Sequence, residues 1–474
     1  DRVNQLSSRM RWPILPLLRA STLSSNSPIS RNIAFSSRSY NMEPEKSCTR
    51  KDGSHLVKCY VEDYDKLLAE KVTTLRGLLS WDKDIDVFES EKTHFRMRAN
   101  FQMWHDNPRN KVPSGFYFTM CEPGQGKDPC EVTNFPRGTH LINKLMSDLL
   151  VVFEKRQVIF ENLFEVRFLT TQTQEAVIVL LYKRPLPAHW LAEAEEVCKE
   201  LNVRIVGRAR KMIATAGGGE TVIEHLNVKN QVYKYYQLEG AFTQPNAGVA
   251  EKMITWAMDQ TQESCNSDLL ELYCGGGTFT APMSRNFRNV LATEISKASV
   301  DLAHKNFALN EIKNIKVARL SSEEFSDAYN GKKTFSRLVE GGIDLKSYDI
   351  STVLVDPPRA GIDPLTLTVM SQFSKIVYIS CNPETLARDV KALSNTHDLV
   401  RVAAFDQFPY THHLESGAVL IKKAETETGN KFKTDAETEK NETVEQVGES
   451  KEVGQKHALE GEQDQGVEKT ARLE

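Results

Sequence analysis

Beyond about residue 241, short apolar runs alternate with longer stretches whose apolar residues recur at helical spacing. Short apolar runs bounded by turn residues fit strands that are buried on both faces. The predicted strands are 268–273, 289–293, 315–318, 352–355, 375–379, 399–405 and 417–422, and the predicted helices include 248–261, 297–309 and 383–394. Strands that alternate with helices are typical of a doubly wound α/β sheet. We therefore predict a Rossmann-like α/β domain over residues 241–424, with ligands at the carboxyl ends of its strands.

Residues 48–240 show a less regular mixture of helical and strand patterns. Apolar residues between 67 and 79 recur on one helical face, and those between 95 and 103 alternate with polar residues such as Arg96 and Arg98. Further strand patterns follow at 164–168 and 176–182. We predict an α+β domain with basic strand faces, which fit a solvated surface as well as they fit RNA contact.

The two ends of the chain differ in composition from the folded part. Residues 2–41 contain six Arg, many Ser and no acidic residue, which is typical of an organelle transit peptide; a disordered Ser-rich terminus is the alternative. We predict a transit peptide over residues 1–47 and a mitochondrial protein, with a plastid as the second choice. A start at Met42 would remove the signal and leave the protein in the cytoplasm or nucleus. Residues 425–474 predict a disordered acidic tail.

Overall composition argues against several classes of protein. The 474 residues carry a net charge of −4, so RNA binding would depend on local basic faces. The eight Cys contain no C-x-x-C pair, which argues against a disulfide framework and against a zinc or iron–sulfur cluster. No apolar run approaches the roughly 20 residues of a membrane-spanning helix. We expect a protein of a reducing compartment that uses no metal and no membrane.

A glycine-rich turn follows the first predicted strand of the Rossmann-like domain. Gly275 and Gly277 permit a tight turn beneath a ligand, but a dinucleotide fingerprint needs a third Gly where the chain has Thr280. Glu294 ends the next strand, where a carboxylate can accept hydrogen bonds from ribose hydroxyls or cap a helix. This pattern disfavours an NAD-type oxidoreductase and favours an adenosine without phosphates, which indicates S-adenosylmethionine.

Cys381 is the residue most informative about chemistry, because it follows an apolar strand and precedes the helix that opens at Pro383. A thiol at that edge is accessible to a bound ligand, and the helix start is expected to lower its pKa. The turn Asp356-Pro357-Pro358 follows the preceding strand and resembles a motif that holds an adenine or an amide nitrogen. The alternative for Cys381 is a buried structural thiol, an interpretation that fits Cys274 better.

A thiol beside S-adenosylmethionine suggests methylation of a pyrimidine at carbon 5. Carbon 5 becomes nucleophilic after a thiolate adds to carbon 6. The carbon 5 proton must then be removed so that the thiolate can leave, and Glu415 is the candidate base. His412 and His413 precede Glu415 without a matching Cys or His cluster, so we interpret them as pocket or structural residues rather than metal ligands.

These residues closely resemble the tRNA (uracil-5-)-methyltransferase family, whose members form ribothymidine in the T-loop of tRNA. The resemblance spans most of residues 64–423, and its most specific stretches are 244–247, 343–348, 380–386 and 405–413. It implies a class I S-adenosylmethionine-dependent methyltransferase domain preceded by an α+β RNA-binding domain. It also implies the T-loop of tRNA as the partner. We expect a monomer.

The resemblance implies a role for each matched residue. Cys381 is the implied nucleophile and Glu415 the implied proton acceptor. The implied S-adenosylmethionine positions are Gln244, Tyr273, Thr278, Glu294 and Asp356. Thr278 replaces an Asn and keeps a hydrogen-bonding side chain. Phe164 matches an aromatic residue that stacks on RNA, and Lys183 stands where the family uses a His for RNA contact.

Two further functions remain open from the sequence. A ribosomal RNA or dual-specificity uridine methyltransferase would use the same chemistry, although the related ribosomal RNA enzymes carry an extra N-terminal barrel and an iron–sulfur Cys cluster, and neither is visible here. A tRNA-binding folding chaperone would keep its biological effect in a Cys381→Ala variant.

Overall fold

The computed structural model describes residues 61–105, 116–120 and 130–424. The strands are β1 (Asp86–Phe88), β2 (Arg98–His105), β3 (Phe116–Met120), β4 (Cys130–Glu131), β5 (Leu163–Thr170), β6 (Ala176–Tyr182), β7 (Arg204–Ala209), β8 (Met212–Ala216), β9 (Thr221–Val228), β10 (Gln231–Leu238), β11 (Asp268–Leu272), β12 (Asn289–Thr293), β13 (Ile315–Ala318), β14 (Ile350–Val355), β15 (Lys375–Ser380), β16 (His397–Phe405) and β17 (Glu415–Lys422). The α-helices are α1 (Tyr64–Leu79), α2 (His140–Lys155), α3 (Gln157–Phe160), α4 (Trp190–Leu201), α5 (Ala247–Asp259), α6 (Thr280–Met283), α7 (Lys297–Leu309), α8 (Ser322–Tyr329), α9 (Ser336–Glu340), α10 (Pro364–Met370) and α11 (Pro383–Leu393). The predicted transit peptide and acidic tail lie outside the described residues.

The C-terminal half forms an eight-stranded sheet with the order β1-β16-β17-β15-β14-β11-β12-β13. Its strands are parallel except β17, which is antiparallel to both of its neighbours. The seven predicted strands are all present; β12 and β13 have the predicted bounds, and the other five differ by one or two residues at an end. The predicted Rossmann-like α/β fold is confirmed.

Both faces of this sheet are buried, which explains the near-continuous apolar runs. In β15, Val377 and Ile379 belong to one core cluster, whereas Ile376 and Tyr378 belong to the cluster on the opposite face. All four side chains are fully buried. Chain order reverses between β11 and β14, since β12 and β13 extend the sheet on one side of β11 and β14 lies on the other. The carboxyl ends of β11 and β14 therefore flank the crevice in which doubly wound sheets bind ligands.

The N-terminal half contains a seven-stranded sheet with the order β4-β3-β2-β5-β6-β7-β8. Its pairs are antiparallel except β6 with β7. The predicted alternation is confirmed: Phe95, Ala99, Phe101 and Met103 are buried, while the intervening Asn100 and Gln102 are exposed. Phe101 makes edge-on contacts with Phe118 and Phe168 in the core beneath α2.

Two segments of residues 48–240 pack with the C-terminal half: β1 joins the eight-stranded sheet, and the β9–β10 hairpin forms a separate two-stranded sheet. Strand β1 pairs with β16 in parallel register. The β9–β10 hairpin contributes buried residues such as Leu226 and Tyr235 to the core beneath α5. The sequence division at residue 240 does not describe these contacts, because a three-residue strand and a hairpin show no sign of which sheet will bury them.

Candidate active site

Cys381 and Glu415 lie opposite each other at the carboxyl edge of the eight-stranded sheet. In the antiparallel pair of β15 and β17, Ser380 is the register partner of Ser416. Cys381 and Glu415 are the next residues on each strand, so the same register sets them opposite each other. Asn382 caps α11 by accepting a hydrogen bond from the Glu384 backbone N–H. The nucleophile predicted from sequence therefore lies between a strand end and a capped helix start.

The turn that begins at Asp356 approaches Cys381 from the next strand. Asp356 follows β14, and the Asn382 side chain donates a hydrogen bond of 3.2 Å to the Arg359 carbonyl. A guanidinium nitrogen of Arg359 lies 3.1 Å from the His413 ring nitrogens. The ends of β14, β15 and β17 thus bring two carboxyl groups, one thiol and one guanidinium to a single edge.

The electrostatics of this edge contradict the expected low thiol pKa. Burial, followed by the charges of Glu415 and Asp356, raises the pKa of Cys381 to about 11, although Arg359 acts in the opposite direction. The helix start does not offset these effects, because partial burial and two nearby carboxylates disfavour a thiolate. Cys381 is therefore a protonated thiol at neutral pH in the ligand-free site.

Burial also raises the pKa of both carboxyl groups beside Cys381. The pKa values of Asp356 and Glu415 lie well above the usual range, and for Glu415 the charge of Asp356 adds to the effect of burial. Two like charges at such a site resist simultaneous ionisation. The edge thus holds at least one proton near neutral pH and can exchange it with a substrate.

The glycine-rich turn after β11 is tightly packed and strained. Gly277 has φ of +81°, and a Cβ there would lie 2.4 Å from the Phe307 ring. Tyr273 has φ of +63°, which is uncommon for a residue with a side chain. Glu294 accepts hydrogen bonds from the backbone N–H groups of Gly275, at 3.1 Å, and Ser296, at 2.7 Å. Glu294 therefore supports both the turn and the start of α7, in addition to any contact with a ligand.

A cavity of about 440 Å³ opens on one side of this turn. Tyr273 and Glu294 line it together with Ile295, Ser322 and Pro358. The Tyr273 hydroxyl donates a hydrogen bond of 2.7 Å to the Ser322 hydroxyl. Apolar walls, a carboxylate and hydroxyl groups at the reversal point of the sheet fit a nucleoside.

Gln244 and Thr278 line a second, smaller cavity of about 40 Å³ across the turn. Gly276 and Thr278 belong to the turn itself, and Gln244 lies three residues before the start of α5. The residues matched to S-adenosylmethionine are thus divided: Tyr273 and Glu294 face the larger cavity, Gln244 and Thr278 face the smaller one, and Asp356 lies at the end of β14. Phe164 is not part of this group, since it is a half-buried residue of β5 in the other sheet.

Three residues near the site were not predicted from sequence to have a role there. Phe242, two positions before Gln244, is 74% exposed, and the Arg98 guanidinium lies 5.8 Å from its ring centroid. Gln407 is fully buried and donates a hydrogen bond to Gln244. An exposed aromatic and a buried amide are visible only in three dimensions, although Gln407 lies within a motif that the resemblance identified.

The described residues also bear on metal binding, on membrane insertion and on the roles of His412, His413 and Cys274. No group of three or more His, Cys, Asp or Glu in the described part of the chain could hold a metal ion. The rings of His412 and His413 lie 4.0 Å apart between centroids at a tilt of 44°, and His413 also contacts Arg359. Over the same residues, no helix is both long and apolar enough to cross a bilayer. Cys274 is buried within the glycine-rich turn, as expected of a packing residue.

Known proteins resemble this chain across nearly all of its folded part. The family model for tRNA (Uracil-5-)-methyltransferase matches residues 63–423. A tRNA/tmRNA (uracil-C(5))-methyltransferase of Acinetobacter baylyi is 48% identical over 340 residues, covering 71% of this chain and 92% of that protein. The enzyme of the same name from Neisseria meningitidis is 44% identical over 371 residues, covering 77% and 99%.

A solved structure shares the architecture. The Pyrococcus abyssi tRNA (uracil-54, C5)-methyltransferase, in complex with S-adenosyl-L-homocysteine, superposes with a TM-score of 0.57 at 22% identity, covering 77% of this chain and 86% of that one. At this identity the likeness concerns the fold, and it agrees with the class I methyltransferase fold expected from the sequence. The match over residues 63–423 and the 44–48% identity to bacterial enzymes show that the chain belongs to the tRNA (uracil-5-)-methyltransferase family.

Proposed function

We propose that the protein transfers a methyl group from S-adenosylmethionine to carbon 5 of a uridine in the T-loop of tRNA. The observation that carries the proposal is the pairing of Cys381 with Glu415 across β15 and β17, beside a nucleoside-sized cavity. The family to which the chain belongs and the names of its relatives support the reaction and the substrate class.

The two cavities around the glycine-rich turn fit S-adenosylmethionine. The larger one suits adenosine, with the Glu294 carboxylate as acceptor for ribose hydroxyls and Tyr273 as a wall. The smaller one, with Gln244 and Thr278, suits the amino-acid end. Asp356, which follows β14, lies near Cys381 and is proposed as a further contact of S-adenosylmethionine. Bound there, S-adenosylmethionine supplies an electrophilic methyl group on a positively charged sulfur.

The chain's own residues divide the remaining chemistry among them. The Cys381 thiol releases its proton to solvent and its sulfur bonds to uracil carbon 6, while the electron pair of the 5,6 double bond moves toward oxygen 4 as an enolate. The enolate electron pair at carbon 5 then takes the methyl group, and S-adenosylhomocysteine is left as a neutral thioether. The Glu415 carboxylate removes the carbon 5 proton, the electron pair restores the 5,6 double bond, and the bond between carbon 6 and sulfur breaks. A carboxylate opposite the thiol is placed for this proton transfer.

The raised pKa of Cys381 is compatible with this sequence of steps. A thiol that is protonated in the ligand-free site is protected from alkylation and oxidation. A positive charge bound near Asp356 and Cys381 would favour the thiolate, since opposite charge lowers a thiol pKa. The nucleophile would then form when cofactor and RNA are both present.

RNA contact is proposed for aromatic and basic residues between the two sheets. Phe242, two residues before Gln244, is exposed, and its ring lies 5.8 Å from the guanidinium of the half-buried Arg98. An aromatic face and a guanidinium are suited to stack on an unpaired base. The same stacking role is proposed for Phe164. Because the target atom of a stacked base is inaccessible, we propose that the uridine leaves the T-loop stack to reach Cys381.

The substrate and chemistry are tested with labelled S-adenosylmethionine and a panel of RNA transcripts. We expect methylation of one T-loop uridine in unmodified tRNA by the wild-type protein and none by Cys381→Ala. tmRNA belongs in the panel because it appears in the relatives' names. Methylation of ribosomal RNA but not of tRNA would contradict the substrate and keep the chemistry. Binding of tRNA without any methylation would favour a folding chaperone.

The cellular location and oligomeric state stay predictions. Residues 1–47 lie outside both the family match and the described residues, and a mitochondrial transit peptide is proposed for them from composition alone. A fluorescent protein fused to residues 1–47 should enter mitochondria. A diffuse signal would contradict that proposal. Light scattering tests the expected monomer.

A further inference from the structure

The loop between β16 and β17, residues 406–414, contains a buried glutamine that the mechanism above does not use. Gln407 is fully buried, and its Nε2 donates a hydrogen bond of 2.9 Å to Gln244 Oε1. The same nitrogen lies 3.6 Å from Met253 Sδ. Gln407 Oε1 has no hydrogen-bond partner among the described residues. A buried amide is costly to keep in an apolar core, so its contact with Gln244 needs an explanation.

The direction of this hydrogen bond determines which end of the Gln244 amide is available. A glutamine amide has one acceptor oxygen and one donor nitrogen. Because Gln407 donates to Gln244 Oε1, the Gln244 oxygen is engaged and its Nε2 remains as the free donor. The structure records no protein partner for Gln244 Nε2 in the described part of the chain. Gln244 lines the smaller cavity beside Thr278, across the glycine-rich turn from Tyr273 and Glu294.

Gln407 is held firmly by the residues on either side of it. The Lys71 ammonium on α1 forms a buried ion pair of 2.7 Å with Asp406 and donates a hydrogen bond of 3.0 Å to the Phe408 carbonyl. The Asp406 backbone N–H donates to the Phe88 carbonyl of β1. These contacts hold residues 406 and 408 against α1 and β1, so the Gln407 side chain has little freedom to turn away from Gln244.

We propose that Gln407 is a positioning residue that orients the Gln244 amide, so that Gln244 donates a hydrogen bond to the carboxylate at the methionine end of S-adenosylmethionine. The proposal rests on the cofactor role of Gln244 given above. Gln407 touches neither the cofactor nor the uridine; it acts through Gln244. The same loop leads directly into Glu415, so cofactor binding and the proposed base share one rigid segment.

The test compares two ligands that differ at the methionine end. S-adenosylhomocysteine carries the carboxylate and 5′-methylthioadenosine lacks it, so only the first reports on the proposed contact. We expect Gln407→Met, measured by isothermal titration calorimetry, to weaken S-adenosylhomocysteine binding about 3- to 10-fold, the range for one neutral hydrogen bond. Binding of 5′-methylthioadenosine should change less than about twofold. Met253→Leu is the matched control, because it disturbs the same packing and keeps the hydrogen bond between the glutamines.

A double-mutant cycle separates positioning from packing. In a Gln244→Ala background, Gln407→Met should have no further effect on S-adenosylhomocysteine binding. Equal weakening of both ligands, or full additivity with Gln244→Ala, would overturn the proposal. If thermal melting shows that Gln407→Met is unfolded, Gln407→Asn takes its place, because it keeps the amide and shortens its reach. It should likewise weaken binding of S-adenosylhomocysteine and spare that of 5′-methylthioadenosine.

The cycle also separates this proposal from the one on which it rests. If Gln244→Ala leaves S-adenosylhomocysteine binding unchanged, Gln244 is not a cofactor contact and the assignment above is wrong. If Gln244→Ala weakens binding and Gln407→Met does not, the cofactor assignment stands and only the positioning role of Gln407 is wrong.

Discussion

The thiol of Cys381 should be a weak nucleophile in the ligand-free protein, and two neighbouring charges should shift it in opposite directions. Burial contributes most to its raised pKa, the Glu415 and Asp356 charges add to it, and the Arg359 charge lowers it. Glu415→Gln removes a negative charge, so the pKa of Cys381 should fall. Arg359→Gln removes a positive charge, so that pKa should rise.

The pKa of Cys381 sets the expected rate at which its thiol is alkylated. With a pKa of about 11 rather than 9.0, roughly one thiol in a thousand is ionised at pH 8, compared with about one in ten for an unperturbed Cys. Because the thiolate is the reactive form, alkylation at pH 8 should be about 100-fold slower than for a free Cys. Each neighbouring charge should change the rate by about 3- to 10-fold. Burial also raises the pKa of Glu415, so the effect of Glu415→Gln should grow toward pH 9 and above.

The assay is the rate of iodoacetamide alkylation at Cys381 between pH 7 and pH 11, followed by mass spectrometry of the peptide that contains it. A Cys381→Ser protein gives the background from other thiols. Arg401→Gln is the matched control for Arg359→Gln, because Arg401 pairs with Asp86 and is not among the charges that shift Cys381. Its rate should equal that of the wild type.

Two results would refute this reasoning. A wild-type rate profile with a midpoint at or below pH 9 would show that the helix start, rather than burial, determines the thiol pKa. A slower rate in Glu415→Gln would show that the Glu415 carboxylate promotes ionisation of Cys381 by accepting its proton. Either outcome would require a nucleophile that is active before the ligands bind.

Three further predictions concern stability. Lys71→Met leaves Asp406 buried without its cation and should lower the free energy of unfolding by about 3–5 kcal/mol in chemical denaturation. Adding Asp406→Leu should restore part of the lost stability. A loss below about 1 kcal/mol in Lys71→Met would contradict a buried ion pair. Gly277→Ala should lower the melting temperature well below that of Gly275→Ala, because both have positive φ but only the Cβ at Gly277 meets another side chain within 4 Å; equal melting temperatures would show that the turn can shift. Burial raises the pKa of Glu271 to about 8, so its ionisation opposes folding and stability should fall as pH rises from about 4.5 to about 8. Glu271→Gln should reduce that slope in denaturation curves, and an unchanged slope would mean that Glu271 does not carry it.

The strands of the C-terminal sheet could be predicted from sequence because burial on both faces leaves an unmistakable apolar run. Strands β12 and β13 were predicted with their observed bounds. Strand β1 could not be predicted, since it has three residues and its partner in β16 is more than 300 positions away. The β9–β10 hairpin also gave no sign of the sheet against which it packs. Contacts between distant segments decide these assignments.

The positions of the candidate site could be predicted, whereas their energetics could not. Asp356 and Cys381 were each predicted to follow a strand, and parallel strands end at one edge of a sheet; the observed register adds Glu415 to that edge. The raised pKa of Cys381 depends on burial and on charges from separate strands, which no local pattern shows. The hydrogen bond from Gln407 to Gln244 likewise joins residues 163 positions apart.

The central claim, covalent catalysis by Cys381 with Glu415 as base, is tested most directly by looking for the bond between protein and RNA. Glu415→Gln is incubated with unmodified tRNA and S-adenosylmethionine, digested with protease and nuclease, and analysed by mass spectrometry. We predict a nucleotide attached to Cys381 with one added methyl group, in an adduct that the wild-type protein does not accumulate. Methylated tRNA formed by Cys381→Ala, or an adduct on any residue other than Cys381, would contradict the account.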